Sequence, residues 1–355
     1  MEKKVGALTL LVLAAACALL LFPAAAVQGA KNGLGYSLGI LVPSLYPFLV
    51  LSIFVVKSGI SERMGHVLER PTRALFHLPG RAAATVLMSA VGGYPTGARS
   101  TEALYEEGAV TQEQAERMMR FCVNAGPSFV ITAVGVGFLH SAQAGIILLI
   151  SQLIAFFLTG LISGRQSQGE RQRPEKQKKQ AASRPMAQAF VESASDAAYS
   201  MLMMCSMVIL FAALMNLLRL AVRNPNLSAI LSSLLEVTGG CADLARRGVP
   251  LWVVSAAIGW GGVCVHFQIY ACLGKLSVKK SRFVFWRAIQ GAVSGLVCFG
   301  ICLFFPETEE VFSNFDGTPV GTLSGSIPAA VALALLCLAL LFSLPRKKVE
   351  TNEEG

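Results

Sequence analysis

Several stretches of this chain run for about 20 residues with almost no charge, and that length spans the roughly 30 Å hydrocarbon core of a bilayer as a helix. Residues 141–163 and 283–305 are two such runs, and others flank them on both sides. A soluble domain has no use for so many. The chain therefore reads as a polytopic, all-α integral membrane protein whose main partner is the lipid bilayer.

Composition agrees. The 355 residues are 54% hydrophobic and 14% charged, with a mean hydropathy of +0.59, whereas soluble domains carry about 25% charged residues. The net charge of +9 does not point to nucleic acid, because the basic residues gather in short segments between apolar runs, as the positive-inside rule requires. Cysteines such as Cys17, Cys205, Cys264, Cys298, Cys302 and Cys337 sit within apolar segments. None forms a CxxC pair and the His residues are scattered, so neither a metal site nor a disulfide framework is implied. Nothing calls for a cofactor.

The order of segments sets expectations for topology. Residues 5–27 follow Lys3-Lys4 and read as an uncleaved first span rather than a signal peptide. A second span over 34–56 contains Pro43 and Pro47. A basic segment, 57–81, suits an amphipathic interfacial helix. The apolar piece 82–98 ends in Gly92-Gly93-Tyr94-Pro95-Thr96-Gly97, and Thr111 to Gln114 forms a capping box that starts a helix near Gln112. Apolar residues follow over 121–139 and 141–163. The segment 164–185, with seven basic and two acidic residues, is a cytoplasmic linker between two membrane halves, 1–163 and 186–355. The second half offers 199–222, a polar-tinged piece at 227–245, spans at 250–272 and 283–305, an acidic outer loop at 306–326 and a last span at 327–344. Both termini and the linker lie inside by charge. Parity then keeps one segment in each half from crossing fully, and the breaker-rich pieces 82–98 and 227–245 are the natural candidates, leaving about eight spans and two re-entrant or broken segments. Ser89 to Tyr94 also matches Ser255 to Trp260, either a chance match of the kind apolar helical sequence produces often or a trace of the inverted repeats from which transporters are built.

Candidate site residues come from the breaks. Gly93, Tyr94, Pro95, Thr96 and Gly97 cannot continue an ordinary helix, and irregular backbone at membrane depth survives only inside protein or along a polar cavity. An interfacial turn is the plainer reading of the same residues. Asn124, Gly126, Pro127 and Ser128 make a second break in the same half. Glu236, followed by Thr238 and Gly239, places a carboxylate in an apolar piece, which costs about 2.5–3.5 kcal/mol on insertion scales and marks function by default, a position at the membrane interface being the plainer reading. His266 and Gln268 sit late in a span and suit either solute binding, proton relay or interhelical glue. Asn216, Gln290 and Ser294 suit interhelical hydrogen bonds. No HExxH, GxSxG, P-loop or paired intramembrane aspartate is present, so an enzyme is not expected.

These motifs, taken in order, resemble a known family. PSLYPF (43–48), LPG (78–80), SAVGGYPTGAR (89–99), CVNAGPSFVITAVGVG (122–137), LLEVTGGC (234–241) and GWGGVCVHFQ (259–268) look like those of the YlbJ-type sporulation integral membrane proteins, grouped with nucleoside-recognition (Gate) domain proteins. The resemblance implies a role in spore formation, particularly of the cortex, and kinship with nucleoside transporters and ferrous-iron transporter membrane domains. It carries over no catalytic residue.

The expectation is thus a transporter or channel-like protein for a small polar solute, nucleoside-like or ionic, with Glu236 as a proton- or cation-coupling carboxylate. A membrane scaffold for spore-envelope proteins is the alternative. Oligomeric state is not legible.

Overall fold

A computed structural model describes residues 2–58, 60–165, 185–222 and 224–304. The expected acidic loop, the last span and nearly all of the linker lie outside the described residues. Among the described residues there is no strand, and five helical stretches are long and apolar enough to cross a membrane.

The N-terminal region departs from expectation. Helix α1 (Glu2–Leu21) stops at Phe22, whose backbone is not helical (φ −123°, ψ 57°), and Pro23 opens α2 (Pro23–Tyr36) at its first turn. Proline is favoured there because its missing N–H would have no partner. The expected span 5–27 is therefore divided. The next crossing-length stretch begins at Pro23, earlier than the expected 34–56, and runs 29 residues to Leu51. It passes through a π-helical turn (Ser37–Leu41) into α3 (Val42–Lys57). Pro43 and Pro47 do not end it. The π turn just upstream takes up the disrupted hydrogen bonding, and the Ser44 hydroxyl donates to the Ile40 carbonyl at 2.6 Å.

The basic segment forms α4 (Ile60–Phe76). After it, α5 (Ala82–Val91) and α6 (Tyr94–Glu106) fold back on each other. A Cβ placed on Gly97 would lie 2.8 Å from the Ser89 side chain, whereas eight residues of straight helix span about 12 Å. Next, α7 (Gln112–Phe121) begins at the expected capping box: Thr111 Oγ1 accepts from the Gln114 N–H, and Gln114 Oε1 from the Thr111 N–H at 2.9 Å. The chain unwinds over 122–127 and continues as a π-helical segment, Ser128–Phe138. Helix α8 (Ala142–Arg165) packs against both pieces. Its start meets the π-helical segment where Gly135 and Gly145 touch, and near its end Ser163 donates to the Arg117 carbonyl.

The same order recurs. After α9 (Met186–Ala221), α10 (Pro225–Leu235) and α11 (Val237–Arg246) make a second hairpin, in which a Cβ on Gly240 would overlap the Ser233 backbone. A broken span follows: α12 (Leu251–Trp260) and α13 (Gly262–Ala271), joined where Gly261 and Gly262 take φ of +83° and +78°. Helix α14 (Lys280–Phe304) then occupies the place that α8 holds in the first half.

Hairpin, broken helix and long helix therefore occur twice. The structural correspondence pairs Gly93 with Glu236 and the 122–127 break with Gly261. The match of Ser89 to Ser255 read from the sequence pairs a hairpin with a broken helix, and the short Ser-Ala-X-Gly likeness is incidental to the fold.

The hairpins approach from opposite ends of the molecule. Arg99 of α6 donates to Ser200 in the first half of α9, while Asp243 of α11 pairs with Arg219 near its end. Those positions are about 28 Å apart at 1.5 Å per residue. The α6 end also holds Lys57–Asp196 (2.8 Å), Lys275–Glu106 (3.5 Å) and Arg282–Glu116 (3.8 Å). On the outside, Ile146, Ile150, Ile154, Phe157, Leu158 and Ile162 of α8 are exposed, an apolar stripe suited to lipid.

Candidate functional site

Each hairpin tip ends at a helix break, and the first reaches both. At the first tip, Gly93 (φ +84°) sits against Gly126: a Cβ on Gly126 would come within 3.0 Å of the Gly93 nitrogen. Only glycines permit that approach of two backbones. Tyr94 reaches on to the second break, where its hydroxyl donates to the Ile258 carbonyl at 2.7 Å. At the second tip, Glu236 and Val237 lie against Gly262, where a Cβ would meet the Val237 nitrogen at 3.0 Å. Trp260 Nε1 donates to the Leu234 carbonyl at 2.9 Å, which fixes this hairpin to α12.

Between the tips lies a cavity of about 40 Å³, room for roughly two or three waters. Gly93, Tyr94, Pro95, Gly126, Glu236, Thr238 and Gln268 line it, together with Leu45 and Leu49 of α3 and Met204 and Val208 of α9. Several linings are first-turn residues of helices, so the partial positive ends of α6 and α11 face the space. Glu236 answers one of them. It is the N-cap of α11, its carboxylate accepting from the Thr238 N–H at 2.7 Å and the Gly239 N–H at 2.6 Å. It is 5% exposed, and no Lys or Arg pairs with it among the described residues.

The other residues singled out from the sequence serve the frame around this cavity. The Thr96 hydroxyl donates to the Gly92 carbonyl at 2.8 Å, closing the first tip. Gly97 lets α6 lie on the Cys122 carbonyl. Asn124 donates to the Phe121 carbonyl at 2.7 Å and accepts from Gln290 at 3.2 Å, and Gln290 in turn accepts from Thr159 at 2.7 Å. Pro127 and Ser128 start the π-helical segment. Gly239 supplies an N–H to Glu236. His266 is buried away from the cavity, its Nε2 3.2 Å from the Trp260 carbonyl and its ring against Trp260 and Phe283. Ser294 and Gln152 bond with Ser255, and Asn216 donates to the Ala25 carbonyl at 2.7 Å, the interhelical role expected of Asn216, Gln290 and Ser294.

Sequence reasoning missed Arg287. It is fully buried, and its guanidinium donates to the carbonyls of Val123, Gly259 and, at 3.5 Å, Trp260. It thus satisfies carbonyls freed at both breaks and places a cation at the C-terminal end of α12, where the helix dipole favours one. A charged residue a few positions inside the apolar run 283–305 was the available signal.

Two hairpins and two broken helices gathered around one cavity, together with helices long and apolar enough to cross a membrane, define an all-α polytopic membrane protein in which the order of elements repeats. Over 375 aligned residues the chain is 25% identical to the sporulation integral membrane protein YlbJ of Bacillus subtilis (strain 168), covering 90% of this chain and 91% of that one. That likeness runs over nearly the full length of both chains and supports the resemblance to the YlbJ-type sporulation integral membrane proteins read from the motifs. No family model matches the chain. No solved structure matches it either.

Proposed function

We propose that this chain carries a small polar solute across a membrane of the sporulating cell, in support of spore cortex formation. The observation that carries the proposal is the meeting of two opposed hairpin tips with two helix breaks at the Glu236 cavity. Broken helices of this kind present unpaired N–H and C=O groups to a solute near the bilayer midplane. The first turns of α6 and α11, which face the cavity, favour a solute with a negative or strongly polar group, because helix N-termini attract anions. The hairpins would be re-entrant, with both termini, the 164–185 linker and the α6 end cytoplasmic, as the basic loops there suggest. With the span at 327–344, about eight crossings result. The Gate-type kinship with nucleoside transporters is consistent with such a carrier and does not choose its substrate. Neither enzymatic chemistry nor a metal centre is part of the proposal.

The test is thermal unfolding of the purified protein in detergent against nucleosides, nucleobases, amino acids, dipicolinate, divalent metals and cell-wall precursors. A ligand at 100 times its dissociation constant stabilises the folded state by about 2.7 kcal/mol. One compound class should raise the transition dose-dependently, and Gln268→Leu at the cavity should weaken the shift. A well-folded protein that no class moves would end the carrier proposal and favour a scaffold for spore-envelope proteins, for which partner pull-downs are the next step.

A further inference from the structure

Glu236 is a buried carboxylate on a cavity wall whose close partners, among the described residues, are the Thr238 and Gly239 N–H groups and the Thr238 side chain of its own hairpin. Both oxygens accept, one each, and both acceptances depend on the group being ionised or at least presenting an unprotonated oxygen. The same residue forms the turn between α10 and α11 (φ −144°, ψ 122°), so the cap and the hairpin tip are one structure. We propose that Glu236 is the proton-binding residue of this cavity, and that protonating it unfastens the tip of the α10–α11 hairpin. The proposal deepens the carrier function above and rests on it for its purpose, though not for its test.

The chemistry is a simple proton transfer. A proton from water in the cavity adds to one carboxylate oxygen, the side chain becomes neutral, and that oxygen becomes a donor facing an N–H donor. One of the two cap bonds is lost, and the charge that answered the α11 dipole goes with it. A metal cation is a poorer occupant. Among the described residues Glu236 is the one carboxylate on the wall, both its oxygens are engaged, and helix N-termini with their positive ends face the same space.

Among the described residues, the surroundings offer no competing proton acceptor in the cavity. Electrostatic neighbours of Glu236 are Tyr36 of α2, Tyr94 of α6, Cys241 and Asp243 of α11 and Cys264 of α13. Asp243 is engaged by Arg219 of α9 and Arg246. Tyr94 is spent on the Ile258 carbonyl and faces Arg287 of α14, and His266 of α13 is turned to Trp260. The π-helical segment Ser128–Phe138, α10 and α12 contain no titratable side chain, and α3 and α9 meet the cavity with apolar residues.

Infrared difference spectra of the purified full-length protein between pH 4 and pH 9 should show a protonated-carboxyl band that disappears in Glu236→Gln. Absence of any such Glu236-dependent band would overturn the proposal. The mechanical half is read at constant pH by maleimide labelling of native cysteines with mass-spectrometric detection. Cys241, buried in α11, should react about five- to tenfold faster in Glu236→Gln, the change expected for loss of a helix cap, while Cys298 in α14 stays unchanged as an internal control. Equal Cys241 rates would show that the cap does not hold the hairpin. Neither measurement uses a solute, so failure here leaves the result of the ligand panel unaffected, and the reverse also holds.

Discussion

At the scale of single residues, the site is built by what small side chains allow and what one large one ties together. A Cβ on Gly97 would overlap the Cys122 carbonyl oxygen, while one on Gly39 meets nothing within 4 Å. Gly97→Ala should therefore lose about 1–3 kcal/mol by overpacking and Gly39→Ala close to none, both read from unfolding in detergent. Arg287→Met leaves three carbonyls at the breaks without their charged donor. Its expected cost is about 3 kcal/mol or more, with Arg287→Lys intermediate because an ammonium cannot fork across the same acceptors. Equal stability of Arg287→Met and the parent would mean that the breaks are held some other way. Residue types were legible from sequence, but partners were not. Glu236 announced itself through the cost of a carboxylate in an apolar run, yet Thr96, Asn124 and His266 looked equally available and are occupied by Gly92, Phe121 with Gln290, and Trp260. Those partners lie on neighbouring backbone or distant helices, where no local pattern reports them.

Among the elements, glycine and proline punctuation was the readable part. The breaks at Gly93 and Gly126 follow from it, and the same breakers, with charge parity, marked 82–98 and 227–245, the segments that fold back as hairpins; the break at Gly261 falls inside 250–272, which reads in the sequence as one unbroken span. Helix boundaries in apolar sequence were harder, since α1 and α2 differ from one continuous span only by Phe22 and Pro23. Contact between elements was also hidden. Gly29 and Gly33, a small-xxx-small pair, bring α2 onto α9: a Cβ on Gly29 would come within 2.5 Å of the Ala212 carbonyl, and one on Gly33 within 2.8 Å of Ile209 Cα. Gly29→Leu should lower the unfolding temperature by several degrees, and Gly35→Leu, where a Cβ meets nothing within 4 Å, should not. A matching fall in both would remove α2 from the packed core.

On the scale of the whole molecule, the repeat explains why one chain of helices closes around a single cavity. Each half supplies one hairpin and one broken helix, and the two hairpins lean on well-separated positions of α9 through Arg99–Ser200 and Arg219–Asp243. The sequence carried this symmetry as an order of elements, hairpin then break then long helix, and not as residue identity, so its one textual match, Ser89 with Ser255, pointed to the wrong pairing. The most direct test is sidedness. Glu107→Cys at the base of the first hairpin and Arg247→Cys at the base of the second should be labelled by a membrane-impermeant maleimide from opposite faces of the membrane, Arg247→Cys in intact spheroplasts and Glu107→Cys only in inverted vesicles. Labelling of both positions from the same face would contradict the opposed hairpins, and with them the shared cavity on which the proposed function rests.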